Sequence, residues 1–260
     1  LFTDIRSFAE TTESMVPEDV LAHLSEYLEA MSRTIHGHGG TVDKFMGDAV
    51  MALWNAPSLG FDHVAHACHA MLACRSVSVA LDAGFSERGY SPFPTRFGLH
   101  TGTAVVGNVG SSDRMQYTAL GAMVNLASRV EGLNKRYGTQ LLVTGAVEEA
   151  VRDKFLFRPV EVVVPYGMTV PVPLFELVAD LRPGATFAPG PGDIQRYLLW
   201  GEGFALYQGQ DWSRAVEVFT QYLNAYPGDG AAELLLGRSI EYQTTPPPEG
   251  WDGTMRFMRK

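Results

Sequence analysis

Two acids stand where apolar, strand-like patterns break. Asp4 interrupts "LFTDI" between Phe2 and Ile5, and Asp48 follows Gly47 in "KFMGDAV". Burying either carboxylate without a counter-charge is costly, so each must cap a turn or meet a cation. Delivered to the edges of adjacent strands, the pair would offer hard oxygen donors to two divalent ions. Mg²⁺ favours such carboxylates in combination with substrate phosphate oxygens. Asn125 and Arg129 lie four residues apart in the helix-like run "AMVNLASRVEGLNKRYG" and therefore share a face. An arginine fork suits a phosphate, although an amide and an arginine on one helix are also ordinary. Lys44, four residues before Asp48, and Thr118, seven before Asn125, add a charged and a neutral hydrogen-bonding group. Lys44 could equally serve as half of a surface ion pair.

Other groupings carry less chemistry. His63, His66 and His69 recur at intervals of three, a slowly drifting stripe without an obvious tetrahedral set beyond Cys68. Helix packing or solvent exposure is the expected role. "VVGNVGS" lacks the GK[ST] of a phosphate loop, and "GLHTG" is no dinucleotide fingerprint, so strand-edge and turn roles are expected for both. Cys68 and Cys74 are six residues apart in an apolar helical stretch, a spacing that favours two buried free thiols over a disulfide.

The elements that must position these residues follow from hydrophobic period and turn signals. "LFTDI" reads as a short buried strand ending at Asp4. "VPEDVLAHLSEYLEAMSRTIHGHGG" has Pro17 and acids at its start and a glycine stop, the marks of a helix. "TVDKFMGDAVMALWN" reads as a hairpin turning at Gly47 and Asp48, and Phe61 to about Ala83 as an alanine-rich helix. "TRFGLHTGTAVVGNVG" gives a strand, a bend and a further strand, and "MQYTALG" one more. The Asn125 helix closes at Gly138; a strand "TQLLVTG", a helix "AVEEAVRDKF" and a terminal hairpin turning near Gly167 complete the unit. Helices alternating with hairpins predict an α/β (α+β) sandwich with a mixed, largely antiparallel sheet.

Composition bounds the rest. The chain has 260 residues, 46% hydrophobic and 19% charged, with a net charge of -9, which suits a globular core and disfavours a general nucleic-acid binder. No run of about 18 apolar residues is expected to span a bilayer. Residues 1–180 form the expected main domain, 181–193 a Pro/Gly linker, 194–243 a helical extension of two helices and the opening of a third, and 244–260 an extended proline-rich tail. Within the extension Gly203, Ala215, Phe219 and Pro227 fall at tetratricopeptide intervals, while Leu199, Glu202 and Leu206 depart from that pattern. One partial repeat cannot bury its own apolar face, so a helical cap docked on the main domain is expected.

The stretches "LFTDIRSF", "GGTVDKFMGDAVMALWNAP", "RFGLHTGTAVVGNVGS" and "YTALGAMVNLASRVEGLNKRYG" resemble the class III nucleotidyl cyclases, the adenylate and guanylate cyclase catalytic domain, over Leu1 to about Asp180. The resemblance implies a ferredoxin-like cyclase fold with added strands and a head-to-tail homodimer whose two sites draw on both subunits. It implies that Asp4 and Asp48, with the carbonyl of Ile5, hold two Mg²⁺ or Mn²⁺ ions. Asn125 would orient the ribose, Arg129 would contact phosphate, and the turn through Arg6 and Phe8 would help bind the triphosphate. Lys44 would read adenine N1 and Thr118 the 6-amino group; guanylate cyclases carry Glu and Cys there, so ATP is the implied substrate. In the implied dimer Lys44 belongs to the metal-bearing side, with Thr118 facing it across the interface. A threonine-type bacterial subgroup, some members of which respond to bicarbonate or CO₂, a sensor domain upstream and a cytoplasmic catalytic portion, membrane-anchored or not, complete the implied picture. Guanylate cyclase and a non-catalytic dimerising module are the rival readings.

Overall fold

The computed structural model describes residues 1–257. Eight strands form one sheet: β1 (Phe2–Ile5), β2 (Thr41–Met46), β3 (Ala49–Leu53), β4 (Thr95–Leu99), β7 (Leu141–Thr144), β8 (Phe155–Val164), β9 (Val172–Asp180) and β10 (Thr254–Arg256). Their order is β10-β8-β9-β7-β4-β1-β3-β2. All pairings are antiparallel except β4–β7 and β8–β10. A separate hairpin, β5 (Val105–Gly110) with β6 (Met115–Leu120), projects as its own two-stranded sheet. This is the mixed, mostly antiparallel sheet with covering helices and a small C-terminal helical region that the sequence predicts.

Strand alternation assigns the two faces. Leu141 and Val143 of β7 join one buried cluster, with Phe97 and Leu99 of β4, whereas Leu142 joins a second cluster on the other side. The first cluster is covered by α2 (Pro17–Gly37) and α3 (His63–Glu87), which bring in Tyr27, Met31, Ile35, Cys68, Met71 and Phe85. Cys68 and Cys74 are free and buried. By length and composition α3 could cross a membrane, but half of its apolar window is buried in this core. A short α1 (Phe8–Thr12), which sequence periodicity did not reveal, and α5 (Gly145–Val151) complete this layer.

The second face carries α4 (Ala122–Tyr137), pressed against β4 at Gly98. A Cβ on Gly98 would lie 2.2 Å from the Glu131 backbone nitrogen and 2.7 Å from the Ala127 carbonyl oxygen, so the close approach requires glycine. Gly138, at φ +64°, terminates α4 in the left-handed conformation and meets Gly230 backbone to backbone. Beside α4 pack α6 (Asp193–Gln208), α7 (Trp212–Ala225) and α8 (Gly230–Thr244), the last a full helix where only its opening was expected. Trp200, Tyr207, Phe219 and Leu235 from these helices share the second cluster with Leu126, Val130 and Tyr137 of α4 and Val160 and Val163 of β8. Beyond the prolines the chain returns as β10 to extend the sheet, and Trp251 packs among Tyr207, Trp212 and Tyr242. The short run "TMR" was too brief to read as a strand from sequence.

Candidate active site

Asp4 and Asp48 come to the same end of the sheet. β1 pairs antiparallel with β3, setting Thr3 opposite Val50, so the chain leaving β1 passes the β2–β3 turn that holds Asp48. Gly47, at φ +67°, makes that turn, and Asp48 Oδ2 accepts the Ile5 N–H at 3.1 Å. Burial, reinforced by the neighbouring Asp4 charge, pushes the Asp48 carboxyl above the usual range. Two close carboxylates with an unbalanced charge are suited to a divalent cation. Among the described residues no group of three or more His, Cys, Asp or Glu side chains converges, so the donor set is two carboxylates plus main chain. Such a set fits Mg²⁺ or Mn²⁺ ligation completed by substrate phosphates.

Sequence reasoning missed the cation already present. Arg96 faces Asp4 in the β1–β4 register and donates from Nη2 to Asp4 Oδ2 at 2.6 Å. Its Nε lies 3.1 Å from Glu131 Oε1, close enough for an ion pair though misaligned for a hydrogen bond. Burial first, then the Asp4 charge, push the Glu131 carboxyl from its ordinary 4.5 up to about 7, against the pull of Arg96. The available signal was an arginine inside the apolar run "TRFGL", a residue as anomalous there as Asp4 in its own strand.

Asn125 and Arg129 share a face of α4, but it is not the face that meets the carboxylates. At about 100° per residue, Glu131 lies about 200° around the helix from Arg129. Glu131 turns to the sheet; Asn125 is exposed and Arg129 half-buried. The Arg129 guanidinium lies near the β8–β9 turn, 3.5 Å from the point a Gly167 Cβ would occupy, and has no carboxylate at ion-pair distance among the described residues. One chain therefore does not bring Asn125 and Arg129 onto Asp4 and Asp48.

Lys44 and Thr118, in contrast, are gathered within one chain. Thr118 Oγ1 donates to Asp43 Oδ2 at 2.7 Å, and Asp43 Oδ1 is 3.3 Å from Lys44 Nζ. This corrects the expectation that Thr118 faces Lys44 only across an interface: contact between β2 and β6 places both on one carboxylate. Ile5 is buried at the end of β1. Phe8 opens α1, half-buried, with its ring edge-on to Phe93 at 5.5 Å between centroids. Of the histidine stripe, His69 pairs with Asp180 at 3.0 Å. A cavity of about 310 Å³ opens at the opposite end of β1, β3 and β4, near Leu1, Leu53, Trp54 and His100; its lining holds no carboxylate, so we place the chemistry at the Asp4 end.

Residues 1–164 match the model of the adenylate and guanylate cyclase catalytic domain family. The chain is 44% identical to adenylate cyclase 1 of Rhizobium meliloti over 182 residues, covering 70% of this chain and 27% of that protein. It therefore spans about a quarter of that relative's length. Among solved structures, the guanylyl cyclase Cya2 superposes with a TM-score of 0.65 at 30% identity, covering 73% of this chain and 94% of that one. The adenylyl cyclase CyaB from P. aeruginosa does so with a TM-score of 0.63 at 33% identity, covering 68% and 91%.

Proposed function

Because the chain belongs to the adenylate and guanylate cyclase catalytic domain family, we propose that it is the catalytic portion of an adenylate cyclase, forming 3',5'-cyclic AMP and pyrophosphate from ATP. The observation that carries this reading is the meeting of Asp4 and Asp48 at one sheet end while Asn125 and Arg129 face away on α4. The two halves are complete chemically and separate spatially, which a head-to-tail homodimer would resolve by building each site from both protomers.

Asp4, Asp48 and the Ile5 carbonyl would hold two Mg²⁺ or Mn²⁺ ions. Bound there, the ions would lower the pKa of the ribose 3'-hydroxyl and neutralise the triphosphate. From the other protomer, Asn125 orients the ribose and Arg129 meets the charge that develops on the α-phosphate as the 3'-oxygen attacks it in line. The main chain through Arg6 to Phe8 borders the triphosphate. No protein nucleophile is needed. Lys44 donates to adenine N1, and Thr118 accepts from the 6-amino group. The exposed apolar positions on and beside the projecting hairpin, including Val105, Val109, Met115 and Leu120 with Phe45 and Met46, supply a surface for the partner copy. We further read 194–243 as a tetratricopeptide-like helical unit capping the domain, on the evidence of Gly203 closing against the Phe219 ring. The catalytic portion is assigned to the cytoplasm, where its substrate is found.

Turnover of ATP and GTP with Mg²⁺ or Mn²⁺, with and without bicarbonate, tests the reading. ATP should be the preferred substrate, and Asp48→Ala should remove metal-dependent turnover. Preference for GTP would make the protein a guanylate cyclase, and absence of any turnover in a demonstrated dimer would leave a dimerising module.

A further inference from the structure

Asp43 has none of the roles described so far, yet its side chain is fully buried between two of the residues that do. Its Oδ2 accepts from Thr118 Oγ1 at 2.7 Å and from the Ala119 N–H at 3.2 Å. Its Oδ1 lies 3.3 Å from Lys44 Nζ and has no aligned hydrogen-bond partner among the described residues. An ionised carboxylate can only accept hydrogen bonds, whereas a hydroxyl has one proton to donate and two lone pairs with which to accept. With its proton committed to Asp43, Thr118 offers a ligand lone pairs alone. Lys44 offers only donors.

Donor at Lys44 and acceptor at Thr118 is a pattern with a direction. Adenine matches it with an accepting N1 and a donating 6-amino group. Guanine and hypoxanthine invert it, with a donating N1–H and an accepting 6-oxo oxygen. We propose that Asp43 is a specificity-determining residue that fixes the hydrogen-bond polarity of Thr118 and holds Lys44, so that 6-aminopurine triphosphates are accepted and 6-oxopurine triphosphates rejected. The proposal rests on the adenylate cyclase reading above and deepens it. Asp43 acts as a positioning residue, through Thr118 and Lys44, without touching the base. An amide in its place could donate to Thr118 Oγ1 and release the hydroxyl proton toward a 6-oxo group. The rejected base would then no longer meet two lone pairs, an unpaired juxtaposition that polar sites use for strong discrimination.

The same contacts tie the projecting hairpin to the main sheet, so a purely structural role must be separable. The test compares kcat/KM for ATP and inosine triphosphate, which differs from ATP only at the 6-position and N1, in the parent and in Asp43→Asn, with dimer mass measured by sedimentation. The proposal expects the ATP-to-inosine-triphosphate ratio to fall by at least about tenfold with the dimer preserved. Equal losses for both substrates, leaving the ratio unchanged, would overturn it. Should Asp43→Asn fail to fold, Thr118→Val is read the same way: ATP must lose more than inosine triphosphate, and an unchanged ratio overturns the proposal. A parent that turns over neither nucleotide defeats the cyclase reading itself. A parent that prefers inosine triphosphate or GTP defeats the base assignment while leaving the cyclase reading intact.

Discussion

Asp4 and Glu131 contend for one guanidinium, that of Arg96, in a partly buried cluster that also feels Asp48. The cost falls on Glu131. Its folded-state pKa of about 7 lies above the ordinary 4.5, so between these values the folded chain binds a proton that the unfolded chain has released. The contribution of this group is therefore fully present below about pH 4.5 and is lost as pH rises to about 7, on the order of 3 kcal/mol in all. Denaturant unfolding at intervals across that window should show this loss in the parent and a flatter profile in Glu131→Gln. Arg129 makes the opposite case, a cation without a carboxylate partner among the described residues. Arg129→Ala should lower cyclase turnover by about 10² or more while leaving the melting temperature nearly unchanged. Asp4 and Asp48 were legible in the sequence because an acid interrupting an apolar run must be explained. Arg96 carried the same kind of signal, but its partners, like those of Glu131 and Asp43, are set by tertiary placement and not by local spacing: Asp4 and Arg96 are 92 positions apart, and Thr118 and Asp43 are 75 apart.

Helix α4 is the element that carries the proposed phosphate- and ribose-binding half of the site. It carries Asn125 and Arg129 outward and Glu131 inward, and its height above the sheet is set at Gly98 by backbone contact. Gly98→Ala would place a methyl carbon against backbone atoms that no side-chain rotation can move. A destabilisation of about 1–3 kcal/mol is expected, read as a lower melting temperature, together with loss of turnover as α4 is lifted. The β5–β6 hairpin has the complementary problem, an apolar face that the described residues leave uncovered. Val105 is 75% exposed, and Val105→Glu should shift the proposed dimer toward monomer in sedimentation and reduce turnover in parallel. Most elements were legible from period and punctuation, including the Gly47 turn and the Gly138 stop. Those that escaped were α1, at five residues too short to show a period, and β10, whose three residues become a strand only because β8 offers an open edge.

Across the whole molecule, the C-terminal helices are fastened to the catalytic sheet by buried charge as well as by apolar packing. Arg158 of β8 reaches Glu176 at 2.7 Å and also pairs with Asp229, which Arg196 shares at 2.9 Å; Arg238 of α8 pairs with Glu161 of β8. Asp229 also caps α8 by accepting the Ala232 N–H. Asp229→Ala would leave two guanidiniums short of a partner in a buried setting and should cost about 3–5 kcal/mol, visible in thermal unfolding. Strand order, and with it this docking, was beyond sequence reading, because the pattern showed which faces were apolar but not which would meet. The division of the site between two protomers is the claim on which the functional account turns, and mixing two inactive variants tests it most directly. Asp48→Ala and Arg129→Ala spoil different halves, so a heterodimer retains one whole site of two. Random association at equal amounts should restore about a quarter of the parental rate. A mixture as inactive as its components, with heterodimers demonstrated, would contradict the composite site.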